Sequence, residues 1–405
     1  MNYNEAKEKL TKINQLHLLK WYDELNENEK KELLHKIEVT DFSVLNMNGS
    51  TKSSEEIAPI KTLTLDEIKD EYDSDLKLGL KLLNEGKLAC ILLAGGMGSR
   101  LGSENPKGMY NIGINKELYI FECQINTLLQ VVHECGSWIY LFIMTSPIND
   151  LATKDFLAKK NYFGYNKDYI KFFIQDEFPV TDKSGKVLLT NKYTPASAPN
   201  GNGGWFLSMI NCGLVDFCKE KNIKYFNVYA VDNVLQKMAD PVFLGATVNH
   251  NCECGAKVVR KVDVNEKVGV ICLANNHPSI TEYIELTDEL RYAKDENGEY
   301  LYNFGVILNY LFDFDALLRT ANSTFPVYKA NKKFPYMDDN GNMVTPSEPN
   351  AYKSETFVLD MIRMMNSCLP FEVDRNKEFA PVKNLHGVDS VDSARVLLVK
   401  NNIEI

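Results

Sequence analysis

The sequence predicts an α/β fold in which a sheet is covered by helices on both faces. Short, wholly apolar segments such as residues 89–93 are typical of strands that are buried on both faces of a parallel sheet. Between several of these strands, apolar residues recur at helical spacing, as they do from residue 118 to residue 132. This alternation is typical of α/β proteins, whose ligands lie outside the carboxyl ends of the strands. We therefore expect functional residues directly after strands.

The individual elements follow from the same patterns. Strands are predicted at residues 89–93, 138–144, 171–175, 225–231, 256–262, 268–273 and 301–308. The first 85 residues are predicted to be a helical arm, with Asn26 as a helix N-cap, a flexible joint at residues 49–54 and a helix from residue 65 to residue 84. A main domain at residues 86–384 and a short C-terminal segment at residues 385–405 complete the predicted domains. Within the main domain, Lys353 is predicted to open a helical stretch.

Length and composition limit the function classes. The 405 residues correspond to two or three domains at roughly 150 residues each. Lys and Arg number 45 against 55 Asp and Glu, which gives a net charge of −10 and disfavours nucleic acid or anionic lipid as a partner. No window reaches the ~18 apolar residues of a membrane span. The N-terminus is polar, and the nine cysteines are scattered singly, so we expect a cytoplasmic protein with reduced thiols.

The strongest local motif is a glycine-rich loop directly after the first buried strand. It reads Leu93-Ala94-Gly95-Gly96-Met97-Gly98-Ser99-Arg100-Leu101-Gly102. Such glycines let the main chain approach a ligand with its N–H groups aimed inward, an arrangement that binds phosphate oxygens. Arg100 and Lys107 add two cations within reach of the loop. Both standard nucleotide motifs are missed, because Leu101 stands at the third glycine of the Rossmann pattern and Gly102 is not followed by Lys. A glycine turn flanked by two surface cations remains the alternative.

Further motifs follow the loop in a fixed order. They are Pro106-Lys107-Gly108-Met109, Met144-Thr145-Ser146, Phe173-Ile174-Gln175, Pro199-Asn200-Gly201-Asn202-Gly203-Gly204, Val231-Asp232-Asn233, Cys254-Gly255-Ala256-Lys257-Val258-Val259, Glu282-Tyr283, Lys353 and Phe379-Ala380-Pro381-Val382-Lys383-Asn384. Together with the glycine loop, this series resembles the signature of the eukaryotic UDP-N-acetylglucosamine pyrophosphorylases, also called UDP-N-acetylhexosamine pyrophosphorylases. The resemblance extends over residues 87–384.

The resemblance implies a Rossmann-like nucleotide-sugar transferase fold (GT-A-like) with a mixed sheet. It also implies a uridylyltransferase that forms UDP-N-acetylglucosamine and pyrophosphate from UTP and N-acetylglucosamine 1-phosphate. A sugar-phosphate oxygen would attack the α-phosphorus in line without a covalent enzyme intermediate, so the protein would act by alignment and charge neutralisation. Mg²⁺ is the expected cofactor, with Mn²⁺ as an alternative. Longer family members continue into a small β domain, which is expected here to be absent or reduced to residues 385–405, and we expect a monomer.

The resemblance also implies a role for each matched residue. Arg100, Lys107 and Asp232 would be catalytic, and Asp232 would hold the metal. The nucleotide would be bound by Leu93, Ala94, Gly95, Gly96, Lys107, Gln175, Gly201, Asp232 and Lys353. The sugar and its phosphate would be bound by Asn202, Glu282, Tyr283, Asn303, Gly305, Phe357 and Lys383. Taken alone, Asp232 could instead cap the next helix, and Asn202 could be a left-handed turn residue.

Three alternatives stay open. Val306 and Leu359 replace an asparagine and a phenylalanine that the family commonly has near the sugar, which leaves glucose or galactose 1-phosphate as substrates for the same fold. An NAD-dependent dehydrogenase would need an acidic residue ~20 positions after the loop, where Glu122 lies on a predicted helix. A non-catalytic nucleotide-sugar binder is disfavoured by the presence of Arg100, Lys107 and Asp232.

Overall fold

The computed structural model describes residues 1–47, 55–321, 323 and 325–405, and the predicted joint at residues 49–54 lies outside them. The helices are α1 (Tyr3–Lys12), α2 (Glu27–Val39), α3 (Leu65–Asn84), α4 (Ile120–Cys135), α5 (Asp150–Lys159), α6 (Trp205–Asn211), α7 (Leu214–Glu220), α8 (Pro241–Asn249), α9 (Asp288–Arg291), α10 (Phe314–Thr320), α11 (Leu359–Ile362), α12 (Arg375–Glu378) and α13 (Val391–Lys400). The strands are β1 (Ile57–Ala58), β2 (Leu88–Leu93), β3 (Tyr140–Thr145), β4 (Ile170–Ile174), β5 (Glu177–Pro179), β6 (Thr181–Asp182), β7 (Leu189–Asn191), β8 (Thr194–Pro195), β9 (Ser197–Pro199), β10 (Tyr225–Ala230), β11 (Cys254–Arg260), β12 (Val270–Ala274), β13 (His277–Thr281), β14 (Phe304–Asp313), β15 (Tyr328–Lys332), β16 (Tyr336–Met337), β17 (Met343–Val344), β18 (Ala351–Glu355) and β19 (Cys368–Glu372).

The principal sheet confirms the predicted α/β class. In the described part of the chain it has ten strands in the order β1-β12-β14-β10-β2-β3-β4, with β11 and β19 following on from β14, and β13 beside β12. β10, β2, β3 and β4 are mutually parallel, whereas β14 runs antiparallel to β10. The sheet is therefore mixed, and the carboxyl ends of its four parallel strands share one edge.

The apolar patterns explain why these elements form. Every residue of β2 is buried, as expected for a strand that is covered on both faces. α3 spans the predicted residues 65–84, and it begins with a capping box in which Thr64 and Glu67 satisfy each other's main-chain N–H groups. Asn26 caps α2, as predicted, by accepting from two N–H groups of the first turn. No helix of the described residues is long and apolar enough to span a membrane.

The described chain divides into two compact units. One unit combines residues 1–53, 176–204 and 324–358, and the other contains the principal sheet, α3 and the C-terminal helix α13. In the first unit, Leu10 and Leu33 of the N-terminal helices share a core with Val187 and Met337. The predicted divisions at residues 85 and 384 stay predictions about domains, but α3 is part of the sheet-containing unit.

The helix predicted to open at Lys353 is wrong. Lys353 lies in β18, where it is paired with Ala330 of β15, and β6 lies on the other side of β18. Of the residues that suggested a helix, Glu355, Phe357, Leu359 and Asp360, only Glu355 lies in this strand. A helix begins only afterwards, at Leu359.

Candidate functional site

The glycine-rich loop leaves the sheet at the shared carboxyl edge of the parallel strands. Leu93 is paired with Met144 and with Ala230, so the loop begins between β3 and β10. Both Leu93 and Ala94 are buried, and the N–H of Ala94 donates to the carbonyl of Met144 at 2.8 Å. This is the position at which α/β sheets bind ligands, as the sequence predicted.

The first two glycines of the loop present unused main-chain donors. Within the described residues, the N–H groups of Gly95 and Gly96 have no hydrogen-bond partner, whereas the N–H groups of Gly98 and Leu101 bond inside the loop. The carbonyl of Gly96 accepts from the N–H of Lys107 at 3.1 Å, which folds the chain back on itself. Adjacent N–H groups that are free of internal partners are suited to an anion such as phosphate.

A residue that sequence reasoning missed, Asn149, holds this loop in place. It is fully buried, its side-chain oxygen accepts from the N–H of Ser146 at 2.8 Å, and its amide nitrogen donates to the carbonyl of Ala94 at 3.0 Å. The same nitrogen lies 3.5 Å from the carbonyl of Gly96. The only sequence signal for this role is a polar residue shortly after a buried strand. Asn149 fixes the loop to the end of β3.

Gln175 and Gly95 lie side by side. Gln175 directly follows β4, is buried, and donates its main-chain N–H to the carbonyl of Thr145. A Cβ atom built on Gly95 would lie 2.8 Å from the side-chain oxygen of Gln175. A side chain at position 95 would displace this amide, so this loop and the predicted uracil-binding amide belong to one surface.

Lys107 and Asp232 form an ion pair at the same edge. Their charged atoms are 3.4 Å apart, and the side chains are 13% and 27% exposed. Burial lowers the pKa of Lys107, and so do the nearby cations Arg100 and Lys383, while Asp232 acts in the opposite direction. Arg100 and Lys383 thus lie near enough to Lys107 to affect its charge, and an edge rich in cations is suited to an anionic ligand.

Lys383 reaches this region because its segment is docked against the residues after β10. The N–H of Val382 donates to the carbonyl of Asp232 at 2.8 Å. The ammonium group of Lys383 is paired with the carboxylate of Asp389 at 2.9 Å. The N–H groups of Lys383 and Asn384 both donate to the carbonyl of Asp389, which lies just before α13. The C-terminal segment thus supports a predicted phosphate-binding lysine.

Asp232 does not cap the next helix. That helix, α8, begins at Pro241, and its first turn is capped by Asp240. The carboxylate of Asp232 is a hard oxygen ligand of the kind that Mg²⁺ prefers. No group of three or more His, Cys, Asp or Glu residues suited to a metal occurs among the described residues. Asp232 could hold a Mg²⁺ ion as a single protein carboxylate, and the other ligands of such an ion would then have to come from substrate or water.

Glu282 and Gly305, two predicted sugar-binding residues of the sheet-containing unit, lie close to Val306. A Cβ atom built on Gly269 would lie 3.6 Å from Val306 and 3.8 Å from the carboxylate of Glu282, so these two side chains flank one glycine. Gly305 is paired with Val270 of β12 and lies against Val268, where a Cβ atom would approach to 2.6 Å.

Tyr283 and Asn303, the other two predicted sugar-binding residues of the sheet-containing unit, are held through their main-chain carbonyls. The carbonyl of Tyr283 accepts from Arg291 at 3.4 Å, and the carbonyl of Asn303 accepts from Lys261 at 2.9 Å.

The remaining predicted residues belong to the other compact unit. Gly201 has φ +88°, and a Cβ atom there would lie 2.2 Å from the carbonyl oxygen of Thr356. The left-handed turn residue is therefore Gly201, not Asn202. The side-chain oxygen of Asn202 accepts from the N–H of Val358 at 3.0 Å, which fixes the turn to the chain around Phe357. Within the same unit, the ammonium of Lys353 lies over the ring of Phe334.

Glu122 lacks the position that a dinucleotide-binding acid requires. It lies in the first turn of α4, and its carboxylate accepts from the N–H of Tyr119 at 3.2 Å. This carboxylate caps its own helix and does not follow a second strand. The dehydrogenase alternative therefore lacks its ribose-binding residue.

Comparisons with known proteins show the family and the fold of this chain. A family model described as UTP–glucose-1-phosphate uridylyltransferase matches residues 41–404. UDP-N-acetylglucosamine pyrophosphorylase of Saccharomyces cerevisiae is 36% identical over 371 residues, which cover 87% of this chain and 77% of that protein. UDP-N-acetylglucosamine diphosphorylase 2 of Arabidopsis thaliana is 34% identical over 422 residues, covering 97% and 82%.

A solved structure extends the similarity to the whole fold. The UDP-N-acetylglucosamine pyrophosphorylase of Trypanosoma brucei, in complex with an inhibitor, superposes with a TM-score of 0.81 at 25% identity and covers 98% of this chain and 84% of that one. A UDP-glucose pyrophosphorylase mutant from Leishmania major, at 19% identity and a TM-score of 0.62 over 81% of this chain and 68% of that one, shares the fold.

Proposed function

Because the chain belongs to the family described as UTP–glucose-1-phosphate uridylyltransferases, and its curated relatives are UDP-N-acetylglucosamine pyrophosphorylases, we propose that it joins UTP and N-acetylglucosamine 1-phosphate. The products are UDP-N-acetylglucosamine and pyrophosphate. The observation that carries the proposal is the group at the carboxyl edge of the sheet: two unpartnered glycine N–H groups next to the Lys107–Asp232 pair.

The chemistry follows from where charge changes during the reaction. A phosphate oxygen of the sugar attacks the α-phosphorus of UTP, the bond to the β-phosphate breaks, and pyrophosphate carries away the negative charge. The N–H groups of Gly95 and Gly96 hold the nucleotide phosphates, and Arg100 and Lys107 neutralise the departing pyrophosphate. Donors that are fixed before the reaction need no reorganisation when the charge develops. Loss of one such donor typically reduces turnover by about 10²- to 10³-fold.

The remaining assignments are proposals of the same kind. Gln175 pairs with uracil through an amide that both donates and accepts, and Leu93, Ala94, Gly201 and Lys353 complete the nucleotide contacts. Glu282, Tyr283, Asn303, Gly305, Asn202, Phe357 and Lys383 contact the sugar and its phosphate. Asp232 would hold Mg²⁺, with Mn²⁺ as the alternative ion. A bound divalent ion supplies charge neutralisation at the phosphates.

A second candidate stays within the same reaction class. Val306 lies beside Glu282 and offers no hydrogen bond to a sugar hydroxyl or acetamido group. This observation favours testing glucose and galactose 1-phosphates as substrates.

One assay separates the candidates. Purified protein is incubated with UTP, Mg²⁺ and each of four sugar 1-phosphates (N-acetylglucosamine, N-acetylgalactosamine, glucose and galactose), and pyrophosphate release is measured. The proposal predicts the highest kcat/KM with N-acetylglucosamine 1-phosphate. A preference for glucose 1-phosphate would move the protein to the second candidate, and no release with any sugar would refute uridylyl transfer.

Two properties of the whole protein are also proposed. All nine cysteines are free thiols, which supports a reducing compartment such as the cytoplasm. A monomer is the proposed state in solution. Light scattering coupled to size-exclusion chromatography should give a mass near the 46.1 kDa of the chain, and twice that mass would contradict the monomer.

A further inference from the structure

A buried charge cluster connects the two segments that carry Asp232 and Lys383, and none of the assigned roles uses it. The ammonium of Lys257 is fully buried and lies 2.8 Å from the carboxylate of Asp240 and 2.6 Å from that of Glu378. It also donates to the carbonyl of Lys237 at 3.2 Å. The second carboxylate oxygen of Asp240 is paired with the ammonium of Lys237 at 3.1 Å. Two cations and two anions therefore balance within the cluster.

The cluster joins two segments that carry proposed site residues. Asp240 ends the loop that follows β10, residues 231–240, which we call the Asp232 loop. Glu378 begins residues 378–383, which we call the Lys383 segment. Lys257 itself lies in β11, inside the principal sheet. One buried ammonium thus fastens the far end of one segment and the near end of the other to a rigid strand.

Between these two anchor points, the segments are paired like a short antiparallel ribbon. The side chain of Asn233 donates to the carbonyl of Glu378 at 2.7 Å and accepts from the N–H of Ala380 at 2.9 Å. The N–H of Val234 donates to the carbonyl of Ala380 at 3.2 Å. The N–H of Val382 donates to the carbonyl of Asp232. A shift of either segment would therefore move Asp232 relative to Lys383.

The charge cluster is a costly way to stabilise a fold. Burial alone would raise the pKa of Asp240, yet Lys257 and Lys237 lower it to about 2, so this carboxylate stays ionised inside the protein. Apolar side chains of similar size often replace a buried ion pair without loss of stability. The charges do fix positions, because a lysine that is bonded to two carboxylates and a carbonyl determines where each of these groups lies.

We infer that Lys257, Asp240 and Glu378 are positioning residues, which set the Asp232 loop and the Lys383 segment in register for catalysis. This inference rests on the proposed function. None of the three is among the proposed substrate-binding residues. Their effect is transmitted through Asn233 and through the bond from Val382 to Asp232.

Two substitutions at Glu378 and one double substitution test the inference. Glu378→Ala removes the carboxylate that anchors the Lys383 segment, whereas Glu378→Gln keeps an oxygen that accepts from Lys257. Lys257→Met with Glu378→Met removes one charge of each sign and leaves Asp240 paired with Lys237. For Glu378→Ala and the double variant, we expect kcat to fall about 10- to 100-fold, as for other supporting residues of active sites, while Glu378→Gln retains most turnover.

A second readout does not depend on activity. Hydrogen exchange followed by mass spectrometry should show faster exchange at the amides of Ala380 and Val382 in Glu378→Ala and in the double variant, with the strands of the sheet unchanged. Arg319→Met is the matched control. This substitution breaks the ion pair between Arg319 and Glu253. Glu253 bonds to Asp313, which is paired with Tyr225 at the start of β10, whereas Asp232 follows the end of that strand. Its kcat and its exchange at residues 380–382 should equal those of the unaltered protein.

The outcomes are distinguishable. Folded Glu378→Ala protein with unaltered kcat and unaltered exchange would overturn the inference. If the double variant does not fold, the comparison of Glu378→Ala with Glu378→Gln decides the question alone. An equal decrease of kcat in these two variants would also overturn the inference. If the unaltered protein releases no pyrophosphate, the proposed function fails. Hydrogen exchange at Ala380 and Val382 that is equal in Glu378→Ala and in the unaltered protein would then still refute the coupling between the cluster and the Lys383 segment.

Discussion

Replacing Gly95 by alanine should impair UTP use without unfolding the protein. The new Cβ would lie 2.8 Å from the side-chain oxygen of Gln175, about 0.6 Å inside the 3.4 Å at which ordinary van der Waals contact begins. The atom in the way is the end of a side chain, so the amide of Gln175 can turn aside at little cost to folding. Turning it aside removes one or both of its proposed hydrogen bonds with uracil.

The size of the effect follows from those bonds. Hydrogen bonds of this kind contribute about 0.5–1.5 kcal/mol each. At the central value of about 1 kcal/mol each, the loss of one or two corresponds to about 1–2 kcal/mol, or a five- to thirty-fold decrease in kcat/KM for UTP. The melting temperature should stay within a few degrees of that of the unaltered protein, because the main chain at Gly95 does not need a left-handed conformation.

A double-mutant cycle isolates the cause. Steady-state kinetics with varied UTP are measured for Gly95→Ala, Gln175→Ala and the combination of both. If Gly95→Ala acts by displacing the Gln175 amide, it should have little further effect once that amide is gone. Fully additive effects, or unaltered kinetics in Gly95→Ala, would refute this reasoning.

Three further predictions concern the charges and the packing of the same unit. Arg100→Ala and Asp232→Ala should each leave the melting temperature nearly unchanged and reduce kcat by about 10²- to 10³-fold; a near-normal rate in either would contradict its proposed role. Burial and neighbouring cations lower the pKa of Lys107, so its ammonium loses its proton at lower pH than that of an ordinary lysine. We therefore expect kcat to fall as the pH rises through the lowered pKa of Lys107. Lys107→Arg, which stays protonated, should shift this fall to higher pH, and an unshifted profile would exclude Lys107 as its source. Gly79→Ala should lower the free energy of unfolding by about 1–3 kcal/mol in urea titrations, since its Cβ would lie 1.8 Å from the carbonyl oxygen of Pro241; unchanged stability would show that α3 and α8 can move apart.

Much of the fold follows from local patterns. The apolar run of β2 and the capping box of α3 are determined within a few residues, so the sequence alone is enough to predict them. Lys353 was assigned wrongly because residues 351–355 are paired with β15, a strand that lies about twenty residues earlier. Pairing between distant segments leaves no mark in a local window.

The site was predicted less completely, and for the same reason. The glycine loop, Lys107 and Asp232 form motifs in the sequence. Asn149 does not, because its importance depends on a loop about fifty residues earlier. Lys257 lies in the motif Cys254-Gly255-Ala256-Lys257-Val258-Val259, but the motif gives it no role, because its partner Glu378 is far away in the chain. Burial of a polar side chain with several partners is visible only in three dimensions.

The stereochemistry at the α-phosphorus tests the central claim most directly. UTP that carries sulfur at one defined α-phosphate position is incubated with N-acetylglucosamine 1-phosphate, and the configuration of the resulting UDP-sugar is determined by phosphorus NMR. A single in-line displacement, with the protein acting only by alignment and charge neutralisation, predicts inversion. Retention would reveal a covalent uridylyl-enzyme intermediate and would contradict the mechanism.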